Sequence, residues 1–215
     1  MSDTIGTGGG GSHYFAPQPE APSERHVIEA QVGDLRLEFV VDRQVFSARR
    51  LDPGTTLLLE NLGEVEGKSV LDMGCGWGPI GLTCLRLGAR SAVMVDVNSR
   101  ALECARETAG LWRVSPDMRQ GNGFQTIGAT ERFDLIATNP PVRAGKDVYY
   151  PWVAEAGLHL ARGGRFLAVI RVRQGAASLE EELKGHFRRV RRLSRHAGYR
   201  VLEASEPSGV LESPS

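Results

Sequence analysis

The sequence predicts an α/β fold built on a mostly parallel sheet, with a β-hairpin placed ahead of it. Three observations carry this expectation. Short apolar runs at Val70-Leu71, Ala92 to Val95, Phe133 to Ala137 and Phe166 to Ile170 read as strands buried on both faces. Helical patterns separate these runs, as crossover connections between parallel strands require. The 215 residues are 41% hydrophobic and 24% charged, with 26 Lys+Arg against 26 Asp+Glu, which suits one large core and excludes a wholly disordered chain.

Taken in order, residues 1–24 are rich in Gly, Pro and Ser and read as a mobile tail. They lack a positive n-region and an apolar h-region, so no export signal is expected. Val27 to Val32 and Leu35 to Val41 alternate apolar and polar residues around Gly33-Asp34. This predicts a hairpin with Leu35, Leu37 and Phe39 on one face. Thr55 to Leu62 reads as a short helix capped by Thr55 or Thr56. Hairpin and helix make an extension over residues 25–66, the main domain is expected over 67–205, and a C-terminal tail over 206–215. Inside the main domain, Pro79 suits a first helical turn, Gly88 the position past a helix end, and Asn98 an N-cap. Ser178-Leu179-Glu180-Glu181 has the capping-box pattern, and Val190 to Leu193 with Tyr199 to Leu202 read as a closing antiparallel pair.

No apolar run reaches the roughly 18 residues of a membrane helix, so a soluble protein without a membrane partner is expected. Cys75, Cys84 and Cys104 form an odd set whose spacing suits neither a zinc pair nor a disulfide framework, so no metal is expected and the reducing cytoplasm is the plain reading. Charge is unevenly spread. Residues 1–66 carry 11 acids against 5 bases, whereas residues 162–200 carry 11 Lys+Arg against 3 Glu. Such a basic flank serves equally as a grip on nucleic-acid phosphates or as a solvated face.

Val70-Leu71-Asp72-Met73-Gly74-Cys75-Gly76-Trp77-Gly78-Pro79-Ile80-Gly81 runs from a strand into a helix, where an open parallel sheet holds nucleotide-like ligands. Two registers are open. Gly76 to Gly81 satisfies the dinucleotide fingerprint, while Asp72 to Gly78 resembles motif I of S-adenosylmethionine (SAM) methyltransferases. Asp72 favours the second, because a carboxylate at the strand end repels a pyrophosphate and suits a ligand bearing an ammonium and a sulfonium. Asp96 ends the next strand, where an acid accepts bonds from ribose hydroxyls in either family.

Thr138-Asn139-Pro140-Pro141 follows another strand at the same sheet edge. Two successive prolines stiffen the loop. For methyl transfer to an exocyclic amine, the Asn139 side-chain oxygen and the Pro140 carbonyl can accept both N–H bonds of an NH2 group, aiming its lone pair at the methyl. Positioning then supplies most of the catalysis, and no strong general base is needed.

With these residues in view, the chain resembles class I SAM-dependent methyltransferases, and more narrowly the family of the small-subunit ribosomal RNA guanine-N2 methyltransferases, especially its single-domain members. The resemblance rests on His13-Tyr14-Phe15, Val45-Phe46-Ser47, Leu51 to Thr55, motif I, Asp96, Thr138 to Lys146 and Gly198 to Val201. It implies a Rossmann-like sheet of seven strands with the last antiparallel, and SAM as cofactor. It further implies that the motif I residues Asp72, Gly74, Cys75, Gly76 and Gly78 serve the methionine end. Asp96 and Val97 would serve the ribose and adenine, and Asn122, Gly123 and Phe124 the adenine edge. Asn139, Pro140 and Pro141 would hold the target amine, with Asn139 also beside the cofactor. Phe46 and the Asp52 to Thr55 segment would close over the site, and Arg143 and Lys146 would contact substrate. Val142 departs from the aromatic residue that many amine methyltransferases carry after Pro-Pro, so a flipped base must stack elsewhere, with Phe46, Tyr149, Tyr150 and Trp152 as candidates. Trp152 and Val153 also suit a helix core, with Pro151 in the first turn of that helix. The implied partner is RNA, ribosomal RNA or a ribosomal subunit. Alternative acceptors are a protein glutamine, adenine N6 of DNA or a small molecule; a non-enzymatic SAM-binding RNA module and a nicotinamide dehydrogenase are the rival classes.

Overall fold

Arg25–Val32 (β1) and Leu35–Asp42 (β2) pair antiparallel as a separate two-stranded sheet in the computed structural model, which describes residues 23–208. Of the tails expected at 1–24 and 206–215, residues 1–22, with His13-Tyr14-Phe15, and 209–215 lie outside the described residues, whereas Glu206 and Pro207 belong to the last strand. Ser23 and Glu24, expected as the end of the first tail, are tied down: the Ser23 hydroxyl and the Glu24 N–H both donate to the buried Asp42 carboxylate, at 2.7 and 3.0 Å. The alternation along β2 turns Phe39 inward, where its ring meets Trp77 and Trp112 with centroids 4.9 Å apart in each case.

Pro53–Glu60 (α1) starts earlier than the sequence suggested. Its N-cap is Asp52, not Thr55 or Thr56, and the Asp52 carboxylate accepts from Gly54 N and Thr55 N. Proline at the first helical position sacrifices an N–H that would have no helical partner, so the Asp-Pro step is a strong start signal.

The main sheet contains Ser69–Met73 (β3), Ser91–Asp96 (β4), Asp117–Gln120 (β5), Phe133–Thr138 (β6), Leu160–Arg171 (β7), Phe187–His196 (β8) and Tyr199–Pro207 (β9). Their spatial order is β5-β4-β3-β6-β7-β9-β8. β9 is antiparallel to both of its neighbours, while β3 to β7 pair in parallel. Pro79–Arg86 (α2), Ser99–Trp112 (α3), Lys146–His159 (α4) and Ala176–His186 (α5) connect the strands. Successive residues of β7 face opposite ways: Leu167 and Val169 join one core with α1, α2 and the hairpin, and Phe166, Ala168 and Ile170 join the other with α4 and α5. Two apolar faces per strand explain why these runs are continuous rather than alternating. Asn98 caps α3 by accepting from Ala101 N, and Pro79 opens α2.

Two local expectations need correction. α5 begins at Ala176 behind Gly175, so Ser178 is inside the helix and no capping box forms there. Glu180, placed in that box, is instead a buried carboxylate that Arg192 reaches at 2.7 Å and Arg200 at 3.3 Å. Pro151 lies inside α4 rather than in its first turn. Among the described residues, no helix is long and apolar enough to cross a membrane.

Candidate active site

The carboxyl ends of the parallel strands meet at a cavity of about 480 Å³, within the usual range for small-ligand sites of roughly 300–1,000 Å³. The loops after β3, β4 and β5 wall one half of it. The loops after β6 and β7, the start of β9 and the entrance to α1 wall the other half.

In the first half, hydrogen bonds lace the loops together. Gly76 N donates to Asp96 Oδ2 and Asn98 N to Asp96 Oδ1, each at 2.8 Å. Gly76 has φ 56°, a conformation that glycine adopts without a Cβ penalty, and its backbone faces the cavity. Burial raises the Asp96 pKa, and the bonds from Asn98, Gly76 and Val97 N–H groups oppose that rise. Asp72 is 0% exposed and lies beneath the loop, where its Oδ2 accepts from Gly81 N at 2.8 Å and its Oδ1 has no partner among the described residues. Burial pushes its pKa up to about 7, against the Gly81 bond.

In the second half, Asn139 sits at the end of β6 with its amide nitrogen 2.9 Å from Thr55 Oγ1 and 3.2 Å from Asp52 Oδ2. A carboxylate can only accept, so the nitrogen must face Asp52 and the Asn139 oxygen is left for a donor in the cavity. Asp52 is held in turn by the Tyr199 hydroxyl, which donates to its Oδ1 at 3.0 Å. The Arg171 guanidinium lies 4.6 Å from the Tyr199 ring centre. Space here is tight: a Cβ on Gly54 would fall 2.5 Å from Tyr199 Cε1, so glycine lets α1 approach β9. Pro141 has φ −74° and ψ 72°, an inverse γ-turn in which Val142 N donates to the Pro140 carbonyl at 2.8 Å. One lone pair of that carbonyl remains free.

The cavity brings together Gly74, Gly76, Asp96, Val97, Asn122 and Gly123 on one side, and Asn139, Pro140, Pro141, Arg143 and Phe46 on the other. It does not include Asp72, Cys75, Gly78, Phe124 or Lys146 in its lining. Phe124 is buried against His159, with ring centres 4.8 Å apart. Lys146 Nζ sits 5.5 Å from the Tyr150 ring centre. Phe46 is 48% exposed, anchored by Trp77 Nε1 donating to its carbonyl at 2.8 Å. Tyr149 is core, and Trp152 is both core and cavity wall. Arg171, Gln174 and Tyr199 also line the site. In the sequence, Tyr199 is legible only as part of a strand and a resemblance, Arg171 only as one charge of the basic flank, and Gln174 not at all.

Comparison with known proteins places this geometry in a family. The profile described as "Methyltransferase small domain" matches residues 36–203. The chain belongs to that family. This methyltransferase small domain is 34% identical to the uncharacterized protein YbxB of Bacillus subtilis (strain 168), over 90% of this chain and 98% of that protein. It is 32% identical to the ribosomal RNA small subunit methyltransferase C of Aeromonas hydrophila, over 80% of this chain and 50% of that protein. Among solved structures it resembles T. thermophilus 16S rRNA methyltransferase RsmC in complex with AdoMet and guanosine, with a TM-score of 0.78 and 29% identity, covering 87% of this chain and 52% of that one. The chain thus spans nearly all of YbxB but about half the length of these two ribosomal RNA methyltransferases.

Proposed function

We propose that the chain is a SAM-dependent N-methyltransferase that modifies an exocyclic amine, guanine N2 of small-subunit ribosomal RNA, in the cytoplasm. The observation that carries this reading is the fixed Asn139 amide, whose nitrogen is committed to Asp52 and Thr55 and whose oxygen has no partner among the described residues.

The residues present fit SAM. Among the described residues, the half of the cavity bounded by Gly74, Gly76 and Asp96 is lined by no cation, since Arg143 and Arg171 both stand in the other half. That charge pattern suits a sulfonium and an ammonium and disfavours the pyrophosphate of a dinucleotide. Asp72 lies behind the glycine loop and acts on the ligand by charge rather than contact, while Asp96 and Val97 hold the ribose and adenine with help from Asn122 and Gly123. When bound, SAM supplies an electrophilic methyl group.

The chain supplies position. The Asn139 oxygen and the remaining Pro140 lone pair accept the two amine N–H bonds, which turns the nitrogen lone pair out of conjugation and toward the methyl. The Pro140-Pro141 turn keeps the two acceptors at a fixed spacing. Methylation leaves an acidic nitrogen whose proton passes to water, so no buried base is needed. Phe46, exposed at the mouth, offers the stacking surface that Val142 does not. Arg143 contacts the nucleotide. The three cysteines are free and buried, in keeping with a reducing compartment.

The test is transfer of tritiated methyl from SAM to ribosomal RNA or subunits, total protein and a metabolite extract, with Asn139→Ala beside the wild type. Label in RNA that the variant loses, with SAM binding retained, is expected. Label confined to protein or metabolites overturns the RNA substrate and keeps the enzyme class. Equal transfer by both proteins overturns the role of Asn139.

A further inference from the structure

The basic flank read from the sequence is not uniform in space. Along β8, Arg189, Arg191 and Arg192 are neutralised by Glu206, Glu203 and Glu180 at 3.3, 2.5 and 2.7 Å. Arg165 and Arg200 share two of those carboxylates. Arginines on an edge strand also discourage another chain from pairing there, so this population has a structural role.

Arg171, Arg173 and Arg195 behave differently. All three are exposed, and none has a carboxylate within 4.0 Å among the described residues. They stand together at the carboxyl edge of the sheet. Arg171 ends β7 opposite Tyr199, Tyr199 faces His196 of β8, and Val172 N donates to Gly198 O at 2.8 Å to close that corner. Across the opening, Arg49 and Arg50 are exposed on the segment that joins β2 to Asp52. That segment is fixed by the Ser47 hydroxyl donating to Arg50 O at 2.6 Å and by the Trp77 bond to Phe46. Arg143, exposed on the loop after Pro141, forms a third side. These three likewise have no carboxylate in range among the described residues.

A solvated arginine is not a site by itself, and Arg86 and Arg162 are equally exposed and unpaired among the described residues. They lie at the opposite edge, at the end of α2 and the start of β7. What distinguishes the other six is their place: Arg143 and Arg171 line the half of the cavity where Asn139 awaits a neutral amine, and Arg49, Arg50, Arg173 and Arg195 lie on the segments that bring Phe46, Asp52, Gln174 and Tyr199 to its wall, with the Phe46 ring exposed. A free base brings no charge for them to meet. A base within a strand brings a phosphate on each side.

We propose that Arg49, Arg50, Arg143, Arg171, Arg173 and Arg195 form a crescent that grips RNA backbone phosphates on both sides of the nucleotide presented to Asn139. This rests on the reading of the site as an RNA methyltransferase and adds the surface that holds the strand.

The experiment compares two variants of equal charge: Arg49→Gln/Arg50→Gln/Arg173→Gln/Arg195→Gln at the crescent, and Arg86→Gln/Arg162→Gln/Arg132→Gln/Arg36→Gln away from it. Each is measured for melting temperature, SAM affinity, and binding and methylation of ribosomal RNA across a salt series. The crescent variant is expected to keep its melting temperature and SAM affinity and to lose more than about tenfold in RNA affinity, with the slope of log K against log salt shallower by about 2 to 3. The distal variant should retain the wild-type slope. Equal slopes for the crescent variant and wild type, with RNA still methylated, overturn the crescent and leave the enzyme assignment standing. Crescent-dependent RNA binding without methylation supports the crescent and overturns that assignment. Absence of RNA binding by the wild type overturns both.

Discussion

The two halves of the cavity are built on different principles. The half around Gly76 and Asp96 is local: strand ends and the turns that follow them, joined by backbone N–H bonds to one carboxylate. The half around Asn139 is assembled from distant segments, since Asp52, Asn139 and Tyr199 meet across separations of 87 and 147 residues. A ligand-binding edge can be made from repeated strand-turn-helix units, whereas orienting one amide needs a carboxylate delivered from outside the parallel sheet.

The sharpest way to break that contrast is Asp52→Asn. An amide at 52 cannot accept from Gly54, Thr55, Asn139 and Tyr199 together, so the Asn139 amide loses its fixed orientation. Methyl transfer at saturating SAM should fall by about a hundredfold while SAM affinity changes by less than about threefold, as read from kcat and a binding titration. Loss of SAM binding instead would show that the two halves are not separable.

Asp72→Asn probes the other half. The folded-state pKa of about 7 stands above the ordinary 3.8, so folding takes up a proton between those values and stability falls as pH rises through that window. The variant stays neutral, so its melting temperature should lack this slope and should exceed that of the wild type above pH 7. SAM affinity should drop by about tenfold, because the charge behind the glycine loop is gone. In the wild type that affinity should rise with pH through about 7, and in the variant it should stay flat.

Tyr199→Phe removes one of the bonds to Asp52 and leaves the ring in place. A loss of about three- to tenfold in kcat and about 1 kcal/mol in stability is expected from stopped-time assays and denaturation. Lys146→Gln should matter least: its ammonium is turned toward Tyr150 and away from the cavity lining, so kcat/KM should change by less than about twofold.

The same contrast explains what was legible in the sequence. The hairpin, β3, β4, β6 and β7 announced themselves because each owns its apolar pattern. β5, Asp117–Gln120, did not, since it is a polar strand at the sheet edge that exists through its pairing with β4. The glycine loop, Asp96 and the Asn-Pro-Pro turn are contiguous motifs and could be read from the letters. The Asp52 cap was assigned to the threonines next to it because three capping residues crowd one helix start, although Pro53 marked the true first position. Arg171 and Gln174 carry no motif at all; the parallel pairing of β7 with β6, with Ala168 opposite Thr138, places their segment beside Asn139.

The shared Asp52 carboxylate also sets the order in which activity can appear during synthesis on the ribosome. By the time Asn139 has been made, the chain already contains Asp52, Thr55, the glycine loop and Asp96. The hydroxyl that steadies Asp52 belongs to Tyr199, in the strand made last, which docks between β7 and the edge strand β8. A nascent chain can therefore complete the first half of its cavity early, yet the Asp52 carboxylate that orients Asn139 gains its bond from Tyr199 only after β9 has left the translating ribosome and docked.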